Sequence, residues 1–203
     1  GGGGVGFVAS RTRDAITVPV VYDTESGESR ELSLPDGVAH LGNWPNRVVD
    51  EGGVLVAHAT PTSSAELVTY DLAADELTTV FERELGPLEP ERLADVSYGR
   101  GRSDGVPETE QAAVDHDPRE EFEVGTLFWD SGERPSPLVV FPHGGPEQSS
   151  KRTFRPHVQF LCRRGYSVLQ VNFRGSTGRG RAFREALHGD WGGAEQGDIA
   201  VAA

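Results

Sequence analysis

Up to Phe81 the chain alternates apolar and polar residues in short runs: Val5 to Ser10, Thr17 to Tyr22, Ser29 to Leu34, Val54 to Ala59, Glu66 to Leu72 and Glu76 to Phe81. Side chains on a strand point alternately to opposite faces, so this spacing predicts half-buried β-strands. The runs are separated by Glu25-Ser26-Gly27, Pro35-Asp36-Gly37, Glu51-Gly52-Gly53 and Pro61-Thr62-Ser63-Ser64, residues that tolerate tight turns. Beyond Glu121 the pattern changes. Strand Val124 to Trp129, turn Asp130-Ser131-Gly132 and the apolar run Leu138 to Phe141 come first. A helical segment at Arg152 to Arg164, strand Ser167 to Phe173, a glycine-rich loop, a helix at Arg179 to Leu187 and another beginning near Glu195 follow. Strands alternating with helices predict an α/β sheet whose later strands run parallel.

A weak repeat crosses the strand-rich part. Val21-Tyr22-Asp23 resembles Thr69-Tyr70-Asp71, each after an apolar strand and before a turn and Glu-Leu, at an offset of about 48 residues. Four-stranded blades of a β-propeller have that period, and a β-sandwich with coincidental similarity is the competing reading. Gly101 to Glu121 is rich in glycine, proline and acid and reads as a linker or surface insertion. The expected division is 1–95 for all-β, partial propeller blades, 96–121 for the linker or insertion, and 122–203 for the first half of an α/β domain.

Charge narrows the partners. The net charge is -13 and Lys151 is the only lysine. So acidic a surface argues against nucleic acid and against an anionic membrane, because both require clustered cations to neutralise phosphate. Salt screening would suit this composition to a halophile, and arginine-favouring codons would produce it too. Cys162 stands alone, so no intrachain disulfide can form and the cytoplasm is the default compartment. No run of about 18 apolar residues and no signal-peptide pattern is present. The chain opens on four glycines and stops in an alanine-rich stretch, and is expected to be an internal fragment.

The candidate chemistry lies where Leu138-Val139-Val140-Phe141 runs into Pro142-His143-Gly144-Gly145-Pro146. Loops that leave the carboxyl ends of strands in an α/β sheet face the ligand crevice, and two glycines there let main-chain N–H groups approach a substrate. Such groups can hold the oxyanion formed when a carbonyl is attacked. Gly101-Arg102-Ser103-Asp104-Gly105 matches the nucleophile-elbow pattern by letter only. Val106-Pro107 and an acidic run follow it instead of a helix, so Ser103 reads as part of a hairpin or linker turn. Gly175 to Gly180 lacks the Gly-Lys-Ser/Thr ending of a phosphate loop. Asp115-His116-Asp117 cannot converge on one ion from an extended chain. His40, His58, His157 and His188 have no visible partner, and Tyr166, Phe173 and Trp191 read as packing residues.

His143-Gly144-Gly145-Pro146 together with Gly165 to Gly178, above all Asn172-Phe173-Arg174-Gly175, resembles the prolyl oligopeptidase family, nearest its acylaminoacyl-peptidase and dipeptidyl-peptidase-like branches, over Phe122 to Ala203. The resemblance implies a β-propeller that restricts substrate entry, followed by a hydrolase domain with a Ser-Asp-His triad. It implies Gly145 as an oxyanion-hole donor with Gly144 shaping the turn, and His143, Pro146 and Arg174 as loop supports. No triad residue falls in this chain, no metal or organic cofactor is implied, and Ser167 to Phe173 is expected at the sheet edge. A peptide or acyl-peptide substrate and a second copy of the chain (a homo-oligomer) are the candidate partners. The rivals are an esterase or lipase of the α/β-hydrolase fold and a non-catalytic peptide-binding module.

Overall fold

A computed structural model describes residues 6–41, 48–49, 52–86, 88–103, 122–145 and 147–203. They form two compact units: Gly1–Leu93 with Arg152–Arg155, and Ala94–Lys151 with Pro156–Ala203.

The first unit is built of antiparallel strands. β1 (Gly6–Arg13) and β2 (Ile16–Asp23) form a hairpin with Arg13 opposite Ile16, and β3 (Ser29–Glu31) lies on the other side of β2. The hairpin turn is Asp14-Ala15, both at positive φ (47° and 62°), the geometry that matches the twist of paired strands. β4 (Val38–His40), β6 (Gly53–Ala59), β7 (Glu66–Asp71) and β8 (Glu76–Phe81) form a second meander, with β5 (Val48–Val49) on β6. A single parallel bridge, Thr17 opposite Val38, joins β2 to β4. Alternation sets the core. Val54 and Val56 point inward with Val8, Ala39 and Val68, while Leu55 between them is exposed.

The repeat has a structural counterpart. Asp23 Oδ1 accepts the N–H groups of Glu25 and Ser26 at 2.8 and 3.1 Å, and Asp71 Oδ1 accepts those of Ala73 and Ala74 at 2.8 and 2.9 Å. Each Tyr-Asp therefore ends a strand and closes the turn to the next through its carboxylate. The two tyrosines differ: Tyr70 is buried and donates to Asp75 at 2.7 Å, whereas Tyr22 stacks on the exposed Phe7.

The second unit holds a four-stranded sheet in the order β11-β12-β10-β9. β10 (Phe122–Trp129) pairs antiparallel with β9 (Val96–Ser103) on one side and with β12 (Ser167–Asn172) on the other, and β11 (Leu138–Val140) runs parallel to β12. α1 (Pro156–Cys162) connects the parallel pair; α2 (Arg181–Glu185) and α3 (Ala194–Ala202) follow β12. Val124, Leu169, Val171, Phe173, Leu187 and Ala194 form the core. The Gln170 side chain, buried in the middle strand, accepts the indole N–H of the equally buried Trp129 at 3.0 Å.

Several expectations change. Ser167–Asn172 is an interior strand, buried at all six residues between β11 and β10, and is not the edge; among the described strands β11 lies at that border. Val96–Ser103 is a strand of the second sheet and not the start of a linker, while 104–121 lie outside the described residues. The helix begins at Pro156, four residues later than expected. Arg152 is in the first unit, where its N–H bonds the Ala15 carbonyl at 2.8 Å and its guanidinium meets Asp36 at 2.5 Å. Proline suits the first helical position because its fixed φ fits and its missing N–H is not needed there. Trp191 is 67% exposed and does not pack.

Candidate active site

The glycine bend is positioned by the parallel pair. Val140 lies opposite Leu169, and Phe141 N–H extends the ladder to the Leu169 carbonyl at 2.8 Å, so β11 and β12 deliver 141–145 and 173–177 to the same rim of the sheet. Gly144 and Gly145 are exposed there, and Gly145 has φ +80°. Pro146 lies outside the described residues, as do Asp115, His116 and Asp117.

The segment after β12 holds this bend through successive contacts. The His143 ring stacks on Phe173 (centroids 4.5 Å, planes 15° apart), and its Nε2 lies 2.8 Å from Ser176 Oγ. Thr177 N–H donates to the Gln148 carbonyl at 2.8 Å, and its hydroxyl reaches Ser149 Oγ at 3.2 Å. The Asn172 amide clasps the backbone of Ser150, accepting its N–H at 2.7 Å and donating to its carbonyl at 3.0 Å. Gly175 (φ +95°) passes so close to Leu187 that an added Cβ would lie 2.8 Å from Leu187 Cδ2. The Asn172-to-Thr177 run is thus a clamp in which the side chains of Asn172, Phe173, Ser176 and Thr177 each hold a point on 143–150.

Arg174 points the other way. Its side chain is fully buried, and Asp198 on α3, equally buried, accepts its backbone N–H at 2.8 Å, Nε at 2.9 Å and a terminal nitrogen at 2.7 Å. The same terminal nitrogen lies 3.3 Å from Ser103 Oγ. Ser103 is therefore a buried hydroxyl at the end of a strand, away from any elbow. Asp198 was invisible in the sequence because one carboxylate on a helix 24 residues further on carries no local signal.

The histidines find partners that the sequence did not show. His58 Nε2 lies 3.0 Å from the Pro35 carbonyl, the His157 ring is 5.0 Å from Phe141, and His188 Nε2 lies 3.1 Å from Glu147 beside the bend. Ser176 donates its hydroxyl proton to the Phe173 carbonyl at 2.6 Å, which leaves an oxygen lone pair toward His143 Nε2, while Nδ1 lies 3.2 Å from the Gly144 carbonyl. Burial holds His143 and His58 below the ordinary value of 6.5, against the smaller opposing pull of the Gly144 and Pro35 carbonyls. The unfolded chain then binds protons first as pH falls below about 7, and stability declines through that window. Urea midpoints recorded between about pH 7.5 and 5.5 should fall toward the acid side, with a shallower slope after His143→Gln or His58→Gln; a slope unchanged by both would contradict neutral, buried imidazoles. Burial also pushes the Cys162 thiol up to about 11, which leaves it protonated and unreactive at neutral pH. Among the described residues no group of His, Cys, Asp and Glu could hold a metal ion, and no helix is long and apolar enough to cross a membrane.

Comparison with known proteins supplies the lineage. The pattern described as the prolyl oligopeptidase family matches residues 152–203. Dipeptidyl aminopeptidase BIII of Pseudoxanthomonas mexicana is 29% identical over 159 residues, covering 75% of this chain and 21% of that protein. The acylamino-acid-releasing enzyme of Homo sapiens is 30% identical over 169 residues, covering 79% and 22%. Among solved structures, a puromycin hydrolase (TM-score 0.71, 23% identity) is covered over 96% of this chain and 28% of that one. An acylaminoacyl peptidase of Pyrococcus horikoshii (TM-score 0.71, 20% identity) is covered over 97% and 28%. At those identities the structures establish a shared fold. The chain spans about a fifth of the length of these curated relatives. The family match and these relatives, beside the resemblance carried by His143 to Gly178, place the chain in the prolyl oligopeptidase family.

Proposed function

We propose that this chain contributes propeller blades and the oxyanion loop to a serine peptidase acting on short peptides or acyl-peptides. The observation that carries the reading is the exposed Gly144-Gly145 bend, delivered by a parallel strand and clamped by 172–177 at the strands' carboxyl rim. In this reading the first unit is the propeller part and the second unit is the first half of an α/β-hydrolase. A serine hydroxyl attacks the substrate carbonyl while a histidine, oriented by an aspartate, takes its proton. The Gly145 N–H donates to the oxygen that becomes negative, and Gly144 sets the turn. The protonated histidine gives that proton to the amine as the C–N bond breaks and the amine leaves, and a water deprotonated by the same histidine then releases the acyl group from the serine. His143 is read as a loop support and not as the base, a reading supported by the contacts of Ser176 and Phe173 with its Nε2 edge and one ring face.

The serine, aspartate and histidine of the triad are assigned to sequence outside this chain. Accordingly, the 203-residue chain should not turn over a chromogenic peptide ester or react with a fluorophosphonate, whereas the complete gene product should do both. Fluorophosphonate-sensitive turnover by the chain alone would refute the assignment, and absence of labelling in the complete product would refute the peptidase reading. Comparing acyl-peptides with simple acyl esters on the complete product separates the peptidase from an esterase.

A further inference from the structure

Three of the hydrogen bonds that locate Arg174 end on one carboxylate. Asp198 accepts the main-chain N–H of Arg174 as well as two nitrogens along one edge of its guanidinium, so both the backbone position and the side chain of residue 174 are tied to α3. Residue 174 lies between the two groups that touch His143, namely the ring of Phe173 and the hydroxyl of Ser176. The turn between them has little freedom to compensate: Gly175 sits at φ +95° against Leu187, and Ser176 N–H and Oγ both donate to the Phe173 carbonyl, at 3.0 and 2.6 Å. A shift of residue 174 is therefore passed on to Phe173 and Ser176 together. On the far side of the contact, His143 immediately precedes Gly144 and Gly145, which are exposed.

We infer that Asp198 is a positioning residue for the Gly144-Gly145 bend, acting through Arg174 on the 173–176 turn that holds His143. The inference rests on the reading of that bend as an oxyanion loop. An oxyanion donor must be aimed where charge develops, and a loop loosened by a fraction of an ångström loses transition-state stabilisation while substrate still binds. Asp198 does this without touching substrate. Among the described residues its charge pairs with Arg174, and both side chains are fully buried, so the restraint persists in salt that screens surface pairs.

The test uses the complete gene product, wild type against Asp198→Asn, Ser176→Ala and the double variant, read by hydrogen exchange and by kcat and KM on a peptide ester. In Asp198→Asn, amides in peptides spanning 141–150 should exchange about tenfold faster or more while those of β10 keep their protection. kcat should fall roughly 10- to 100-fold with KM within about twofold. Ser176→Ala removes the last link of the same route, so the double variant should be about as slow as the slower single variant and not the product of the two losses. Should Asp198→Asn fail to fold, Asp198→Glu keeps the charge, displaces the carboxylate by one methylene and is read on the same peptides. Unchanged exchange at 141–150 in a folded variant would overturn the inference. So would exchange raised evenly across the whole second unit, which marks a merely structural ion pair, or losses that multiply. If wild type shows no turnover while the exchange result holds, the positioning stands and the peptidase reading falls; if wild type is active and Asp198 variants match it, the positioning alone falls.

Discussion

Exchanging Arg174 for methionine should lower the stability of the second unit by about 3 to 5 kcal/mol, a large share of the 5 to 15 kcal/mol typical of a folded domain. Methionine preserves most of the apolar stem. What it removes is the guanidinium, so that of the three Arg174 donors that meet the fully buried Asp198 carboxylate only the main-chain N–H remains. Desolvating a charge costs several kcal/mol and is offset only while its partner is present. The paired change Arg174→Met with Asp198→Leu should recover part of the loss, because neither charge is then stranded although the residue-174 N–H loses its acceptor. Urea unfolding followed by the near-ultraviolet signal of the buried Trp129, in the complete gene product, reads all three proteins. A single variant within about 1 kcal/mol of wild type would show that water reaches Asp198. The loss should also survive molar salt. Exposed pairs such as Arg13 with Glu31 or Arg30 with Asp75 contribute little and are screened. That contrast bears on the acidic composition, since a chain of net charge -13 loses self-repulsion in salt while keeping this buried pair.

What could be read in the sequence followed from one-sided burial. β6 shows this plainly: Val54 and Val56 are buried and Leu55 between them is exposed, so alternation marks the strand. β9 shows the opposite case. Val96-Ser97-Tyr98-Gly99-Arg100-Gly101-Arg102-Ser103 buries only its two end residues, and the glycines and arginines between them carry no alternation. It is a strand because β10 pairs with it along its whole length, and pairing overrides weak propensity. Val38–His40 was missed because three residues are too few to show a period. The position of β12 was misjudged for another reason: order along the chain does not fix order across a sheet, and the crossover through α1 sets β12 between β11 and β10. In the site, the His143 and Asn172 motifs were legible as residue runs, but their meaning as one clamp depends on two loops that only the parallel pair brings together. Glu147 with His188 and Arg174 with Asp198 are contacts across 41 and 24 residues, and no local pattern encodes them.

Gly145→Ala should reduce kcat of the complete gene product by about 10²- to 10³-fold while KM changes little, the loss expected when one oxyanion donor is misplaced. Two effects push the backbone the same way. At φ +80° an L-residue costs roughly 1 to 2 kcal/mol relative to glycine. A Cβ there would also lie 3.1 Å from Gln148 Nε2 and 3.3 Å from its Cδ, so the Gln148 side chain must give way. Rotating the 144–145 peptide relieves the strain, and that rotation turns the Gly145 N–H away from the rim. Gly144→Ala is the matched control: Gly144 is absent from the positive-φ glycines and nothing lies within 4 Å of its added Cβ, so a loss below about tenfold is expected. Neither change touches the core, and thermal midpoints should move by only a few degrees. The comparison separates a donor from a spacer, because a loop that merely needed small residues would respond equally at both positions. Equal losses, or an unaltered kcat in Gly145→Ala, would place the oxyanion donor elsewhere and leave the bend as structure.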